Sequence, residues 1–204
     1  MRGPGKWAVL AVLFTLLVLL DQGTKFLAVD RLTTVFQQHG QVGLVEKLGG
    51  FFTHRHLEAQ TTRGYTVWAP AWRMVYVENP GAAFSFLSGA PEGLRQAFFP
   101  LITVLAVVVV LAYYRRLRQD QRYYQLALSM LLAGAVGNFL DRLARGYVID
   151  FVDWYVGRHH WPPFNVADSL IVVGVAMLLL HPGPRKGSPV LEGPGPRPAA
   201  KQRG

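Results

Sequence analysis

Four long apolar blocks limit what this chain can fold into more than any other feature. They are Trp7–Leu20, continuing over Asp21 to about Ala28, then Ala97–Tyr114, Tyr123–Leu140 and Val166–Leu180. Each approaches the roughly 20 residues a helix needs to cross a hydrocarbon core about 30 Å thick. In lipid, only helices and closed barrels satisfy every backbone polar group. The blocks lack the period-two alternation of barrel strands, so they predict helices. Composition agrees, with 51% of residues hydrophobic and 16% charged, against roughly 25% charged in soluble domains. The expected fold is an all-α membrane protein with four transmembrane helices, over about 7–28, 97–114, 123–140 and 166–180.

Arg2 and Lys6 precede the first block as they would in a signal peptide. No small-x-small cleavage pattern follows Leu20, however, and the apolar run resumes at Phe26, so a retained span is expected.

The net charge of +9 invites a nucleic-acid reading until its distribution is traced. With the N-terminus, the Tyr114–Tyr123 connection and the C-terminal tail on one side, that side holds eleven basic residues against Asp120 and Glu192. The excess there equals the whole net charge, and the rest balances at ten of each sign. This is the positive-inside pattern, which makes that side cytoplasmic and allows attraction to anionic membrane lipid. No nucleic-acid partner is expected. Residues 1–181 then form one membrane-embedded domain, and 182–204 a basic Pro/Gly-rich tail too poor in apolar residues to order itself.

The connections 29–96 and 141–165 fall outside the cytoplasm. Within the first, WRMVYVENPGAAFSFL reads as a strand, an Asn-Pro-Gly turn and a short extended piece. A small extracytoplasmic β-sheet between helices 1 and 2 is expected, whereas Phe51–Ala71 carries no clear pattern.

Polar residues gather where the spans meet the outer face: Asp21 and Lys25, Asn79, Asn138 with Asp141 and Arg142, Asn165 with Asp168, and Asp150 in the last connection. Ionisable groups inside a membrane cost a few kcal/mol or more and mark functional sites by default. Each also has a plain structural reading. Asp21 and Lys25 form an i, i+4 ion pair. Asn138, Asp141 and Arg142 bind neighbouring helices. Asn165 with Asp168 makes a capping box, and Asp153 is an ordinary loop acid. Their convergence from four separate segments favours a site.

Several chemistries are excluded. Without cysteine there is no disulfide, thiolate nucleophile or cysteine-bound zinc. His54–His56 and His159–His160 lack the carboxylate spacing of a zinc site, so no metal is expected. No GxSxG, P-loop or GxGxxG occurs. Internal repeats, which a transporter pathway predicts, are absent, as are the YD and GxGD contexts of presenilin-like proteases. Carboxylates remain. Two close aspartates share one proton, so one member activates water while the other polarises a carbonyl. Spacing alone does not choose among Asp21, Asp141, Asp150 and Asp168.

GNFLDRLARGYVIDF (137–151) and FNVADSLI (164–171), preceded by DQGTK (21–25) and NPGAAFSFL (79–87), resemble the four motifs of the lipoprotein signal peptidase (signal peptidase II) family, in the same order. The likeness covers most of the chain, leaving out the region around His54–Ala71 and the basic tail. It implies a four-helix inner-membrane aspartyl endopeptidase, without cofactor, that cleaves a prolipoprotein before its diacylglyceryl-modified cysteine. It further implies that Asp150 and Asp168 are the catalytic pair. The helix N-terminus beside Asp168 makes it the expected ionised member at rest. Asn79, Gly81, Ala82, Ala83, Gly134, Asn138, Asp141, Arg142, Asn165 and Ala167 would shape the substrate path, Asp21 and Lys25 would brace the first helix, and globomycin would occupy the site.

Overall fold

The computed structural model describes residues 4–53, 64–81 and 92–181. Helix α1 spans Lys6–Leu32, followed by a single turn α2 (Val35–Gln38) and a short helix α3 (Leu44–Thr53). Strands β1 (Tyr65–Trp68) and β2 (Trp72–Asn79) precede the long helices α4 (Glu92–Arg116) and α5 (Arg122–Arg145). Strands β3 (Val148–Val156) and β4 (His159–His160) lead into α6 (Val166–Leu180).

Among the described residues three helices are long and apolar enough to cross a membrane: α1, residues 98–116 of α4, and α5. The fourth expected span, α6, is apolar but has 15 residues, about 22 Å at helical rise against a core of about 30 Å. Its start is set by a polar cap at Asn165, so it cannot extend further in the N-terminal direction. Helix α5 is central and packs on α1, α4 and α6. The outward faces carry exposed apolar side chains such as Leu16 and Leu19 on α1, Leu105 and Val109 on α4, and Val172 and Leu179 on α6. Such continuous apolar cover suits contact with lipid.

Glycines let α5 and α6 approach. A Cβ added at Gly134 would lie 2.5 Å from the Ala167 carbonyl, and one at Gly137 would run into the Asp21 carboxylate. Small residues at such crossings allow backbone contact where lipid supplies no hydrophobic drive.

The sheet corrects the sequence reading. Its order is β1-β2-β3-β4, and β1, β2 and β3 pair antiparallel in turn. Half of it therefore comes from the connection between α5 and α6, not from the one between α1 and α4 alone. VIDFVDWYV has the β-branched and aromatic content of a strand, but its two aspartates break the apolar alternation. Residues Phe51–Ala71, without a pattern in the sequence, contain the end of α3 and all of β1. The extended piece expected after the Asn-Pro-Gly turn lies outside the described residues, as do Ala82, Ala83, His54 and His56. A core of Val29, Leu32, Phe36, Phe51, Tyr76, Ile149 and Phe151 joins the sheet to the C-terminal end of α1 and to α3.

Candidate active site

Asn165 is the N-cap of α6. Its Oδ1 accepts from the Asp168 backbone N–H at 3.0 Å, and Asp168 Oδ2 accepts from the Asn165 N–H at 3.1 Å. This reciprocal box satisfies two N–H groups that the first helical turn leaves without partners. It also fixes the Asp168 side chain, whose Oδ1 accepts from Asn138 Nδ2 at 2.8 Å. Asp168 is half-buried and faces the site from the positive end of the helix.

Asp150 enters from β3, between the core residues Ile149 and Phe151, and is 2% exposed. Asn79 Nδ2 donates to its Oδ2 at 2.8 Å and Asn165 Nδ2 to its Oδ1 at 2.7 Å. Asn79 is aimed by the turn that follows it: its Oδ1 accepts from the Gly81 N–H at 2.9 Å, and Gly81 has φ +105°, a conformation that favours glycine. Burial, and next the charge of Asp168, push the Asp150 carboxyl up to about 7, against the opposing pull of the Asn79 and Asn165 donors. One carboxamide thus serves both aspartates, because Asn165 donates to Asp150 while capping the turn that holds Asp168.

A buried ionic cluster lies behind this pair. Lys25 Nζ is 2.9 Å from Asp21 Oδ2, 2.8 Å from Asp141 Oδ2 and 3.0 Å from Asn138 Oδ1. The side chains of Asp21, Lys25 and Asp141 are fully buried. Asp21 Oδ1 accepts from the Ala167 N–H at 2.9 Å, so α1 caps a second free donor of α6. Asp141 Oδ2 also accepts from the Ile149 N–H at 3.3 Å, next to Asp150. Lone ions here would be strongly destabilising, and mutual pairing removes that penalty.

The described residues of the sequence-derived set thus converge on one region. Asn79, Asn138 and Asn165 contact the two aspartates. Gly134 and Ala167 form the close α5–α6 crossing. Arg142 donates to the Asn138 carbonyl at 3.4 Å and lies 4.9 Å from the centre of the Phe99 ring. The helical ion pair read at Asp21 and Lys25 is present, but it extends into a cluster with Asp141 that spacing along α1 could not reveal.

Two residues escaped the sequence reading. Arg145 is buried and donates to Asp141 Oδ1 at 3.0 Å; its i, i+4 spacing from Asp141 was the available signal. Asp153, read as a loop acid, is 2% exposed and pairs with Arg73 and with His160 Nδ1 at 2.9 Å. Among the described residues no group of three or more His, Asp or Glu side chains gathers to hold a metal. An apolar cavity of about 660 Å³ lies at the far end of the sheet, lined by Trp68, Trp72, Trp154 and Trp161 among others. Neither aspartate of the pair lines it.

A family model described as signal peptidase (SPase) II matches residues 13–182. The lipoprotein signal peptidase of Anaeromyxobacter sp. (strain Fw109-5) is 58% identical over 188 residues, covering 91% of this chain and 89% of that protein. That of Syntrophus aciditrophicus (strain SB) is 38% identical over 165 residues, covering 81% and 86%. Among solved structures, a bacterial membrane enzyme determined by the in meso method superposes with a TM-score of 0.59 at 25% identity, covering 85% of this chain and 91% of that one.

Proposed function

Because the chain belongs to the signal peptidase II family, we propose that Asp150 and Asp168 are the pair with which it cuts signal peptides from prolipoproteins. It is an aspartic endopeptidase of lipoprotein maturation. The observation that carries the assignment of the pair is Asn165, which donates to Asp150 and caps the turn that carries Asp168. Among the described residues neither Asp150 nor Asp168 is in a salt bridge. Asp21 and Asp141 are both committed to Lys25.

In this reading Asp150, held up to about 7 by burial and by Asp168, carries the shared proton and donates it to the scissile carbonyl. Asp168, steadied by the Asn138 and Asn165 donors, takes a proton from the attacking water. The water oxygen adds to the carbonyl carbon, and the tetrahedral intermediate collapses as the amide nitrogen receives a proton and leaves. Asn79 and Gly81 at the end of β2, with Arg142 on α5, border the substrate path, and Ala82 and Ala83 continue it. The substrate is a prolipoprotein cut just before its diacylglyceryl-modified cysteine, entering laterally from lipid. Globomycin-type inhibitors occupy the same site.

α6 completes a four-span arrangement by tolerating a shorter crossing, which local bilayer thinning accommodates. The charge distribution supports cytoplasmic termini and an outward-facing sheet. Trp68, Trp154 and Trp161, exposed on that sheet, suit the headgroup region.

Cleavage of a diacylglyceryl-modified precursor by purified wild type, Asp150→Asn and Asp168→Asn tests this directly. A loss of about a thousandfold or more is expected in both variants. Near-wild-type turnover in either would remove the pair, and equal cleavage of an unlipidated precursor would remove the substrate assignment alone.

A further inference from the structure

Arg145 joins α3 directly to the buried ionic cluster behind the aspartate pair. It lies in the last turn of α5 and is 3% exposed. Its Nε and Nη2 donate to the Phe51 carbonyl of α3 at 3.1 and 2.6 Å, while Nη1 donates to Asp141 Oδ1 at 3.0 Å. The guanidinium stands 4.1 Å from the centre of the Phe51 ring. Phe51 lies towards the C-terminal end of the described part of α3, and two guanidinium N–H groups converge on its carbonyl. A charge-assisted pair of this kind is stronger than a neutral hydrogen bond.

Apart from Phe51, which also packs in the core with Ile149 and Phe151, helix α3 has a light hold on the body. Leu44, Val45, Leu48 and Phe52 are exposed, and only Gly50 and Phe51 are buried. A partly exposed pair, Lys47 with Asp30 at 2.6 Å, ties it to α1. The other arm of Arg145 leads to the aspartates. Asp141 holds Lys25 at 2.8 Å, Lys25 donates to Asn138 Oδ1 at 3.0 Å, and Asn138 donates to Asp168 at 2.8 Å. Asp141 also accepts from the Ile149 N–H, one residue from Asp150.

We infer that Arg145 is a positioning residue for peptide cleavage, which fixes α3 and the hydrogen-bond chain of the aspartate pair in a single shared geometry. The inference rests on the assignment of Asp150 and Asp168 as the reacting pair. The planar fork makes all three bonds at once, whereas a lysine keeps the charge pairing with Asp141 and only part of the hold on Phe51.

The chain has no cysteine, so Leu48→Cys gives a single site on the exposed side of α3 for a nitroxide label. The full-length labelled chain, reconstituted in bilayers, is compared with its Arg145→Met and Arg145→Lys forms for precursor cleavage and label mobility. Arg145→Met should lower kcat about tenfold or more with KM within about twofold, and should free the label. Arg145→Lys should recover kcat to within about threefold of wild type, with label mobility between the two. Wild-type kcat or an immobile label in Arg145→Met overturns the proposal. So does an Arg145→Lys form no more active than Arg145→Met, since the loss would then be generic. Should Arg145→Met fail to fold, Arg145→Lys decides alone: wild-type kcat and mobility sink the idea, and a lowered kcat with a freer label supports it. Asp150→Asn and Asp168→Asn on the same background test the underlying pair separately, because activity in either would refute that assignment whatever the label does.

Discussion

Asn165 donates to Asp150 at 2.7 Å from the same side chain whose oxygen caps the first turn of α6. A helix cap and a support of the proposed catalytic pair are therefore one residue, and the two roles separate by substitution. Serine keeps the capping oxygen but has no amide donor that reaches Asp150.

Asn165→Ser should therefore stay within about 1 kcal/mol of wild-type stability, while kcat falls about a hundredfold. Asn165→Ala should lose activity and about 1 kcal/mol or more of stability as well. Thermal unfolding in detergent alongside precursor cleavage separates the two effects. Equal stability loss in both variants would mean that Ser cannot act as the cap here.

Lys25 contacts both Asp21 and Asp141. Replacing it with Met leaves two carboxylates without this partner in a site closed to solvent, at a cost of about 3–5 kcal/mol. Adding Asp141→Asn should recover part of that loss, because one of the stranded charges goes with it. A double variant no more stable than Lys25→Met would show that the cluster is not held by this pairing.

The apolar blocks made the helices legible, since lipid crossing imposes a length and a composition that local sequence must meet. The cap at Asn165 and Asp168 was equally legible, because a capping box is set by neighbours three residues apart. The sheet was half hidden. β2 announced itself by alternation before a Pro-Gly turn, but β3 carries Asp150 and Asp153 inside it, and each is tolerated only because a partner arrives from elsewhere in the chain. Those partners, Asn79 and Asn165 for the first and Arg73 and His160 for the second, are invisible until the fold assembles them. Arg145 was missed for the same reason: its carbonyl partner Phe51 lies 94 residues away. Geometry alone also did not name the reaction, and the family match carried that step.

Gly137 packs against the Asp21 carboxylate, and Gly174 meets the Ala127 carbonyl and Leu131 farther along the same helix pair. Alanine at either position should destabilise the protein by about 1–3 kcal/mol through overpacking. Only Gly137→Ala should also lower kcat strongly, since Asp21 holds the N-terminal turn of α6 at Ala167. Matched losses of kcat in both variants would point to general loosening of the helix pair instead.

Asp150 also predicts a pH dependence whose sign follows from its environment. Burial and the neighbouring Asp168 raise its carboxyl from 3.8 to about 7 in the folded protein. Below the ordinary carboxylate range both folded and unfolded chains hold the proton, and the group contributes nothing to the pH dependence. As pH rises through about 4, the unfolded chain releases the proton and the folded one keeps it, so stability falls. The decline ends once Asp150 ionises in the folded state near 7, and its total is on the order of 4 kcal/mol at most. Asp150→Asn should lack this decline and gain on wild type as pH rises from 4 to 8, measured as Tm in detergent. Cleavage by the wild type should fall about tenfold per pH unit above the same point, because the proton owed to the scissile carbonyl is lost. The Asp168 charge is one cause of the raised Asp150 carboxyl, so Asp168→Asn should move the carboxyl absorption of Asp150 to lower pH, an effect that infrared titration reads without any turnover. Parallel Tm profiles for wild type and Asp150→Asn would mean that Asp150 carries no raised pKa.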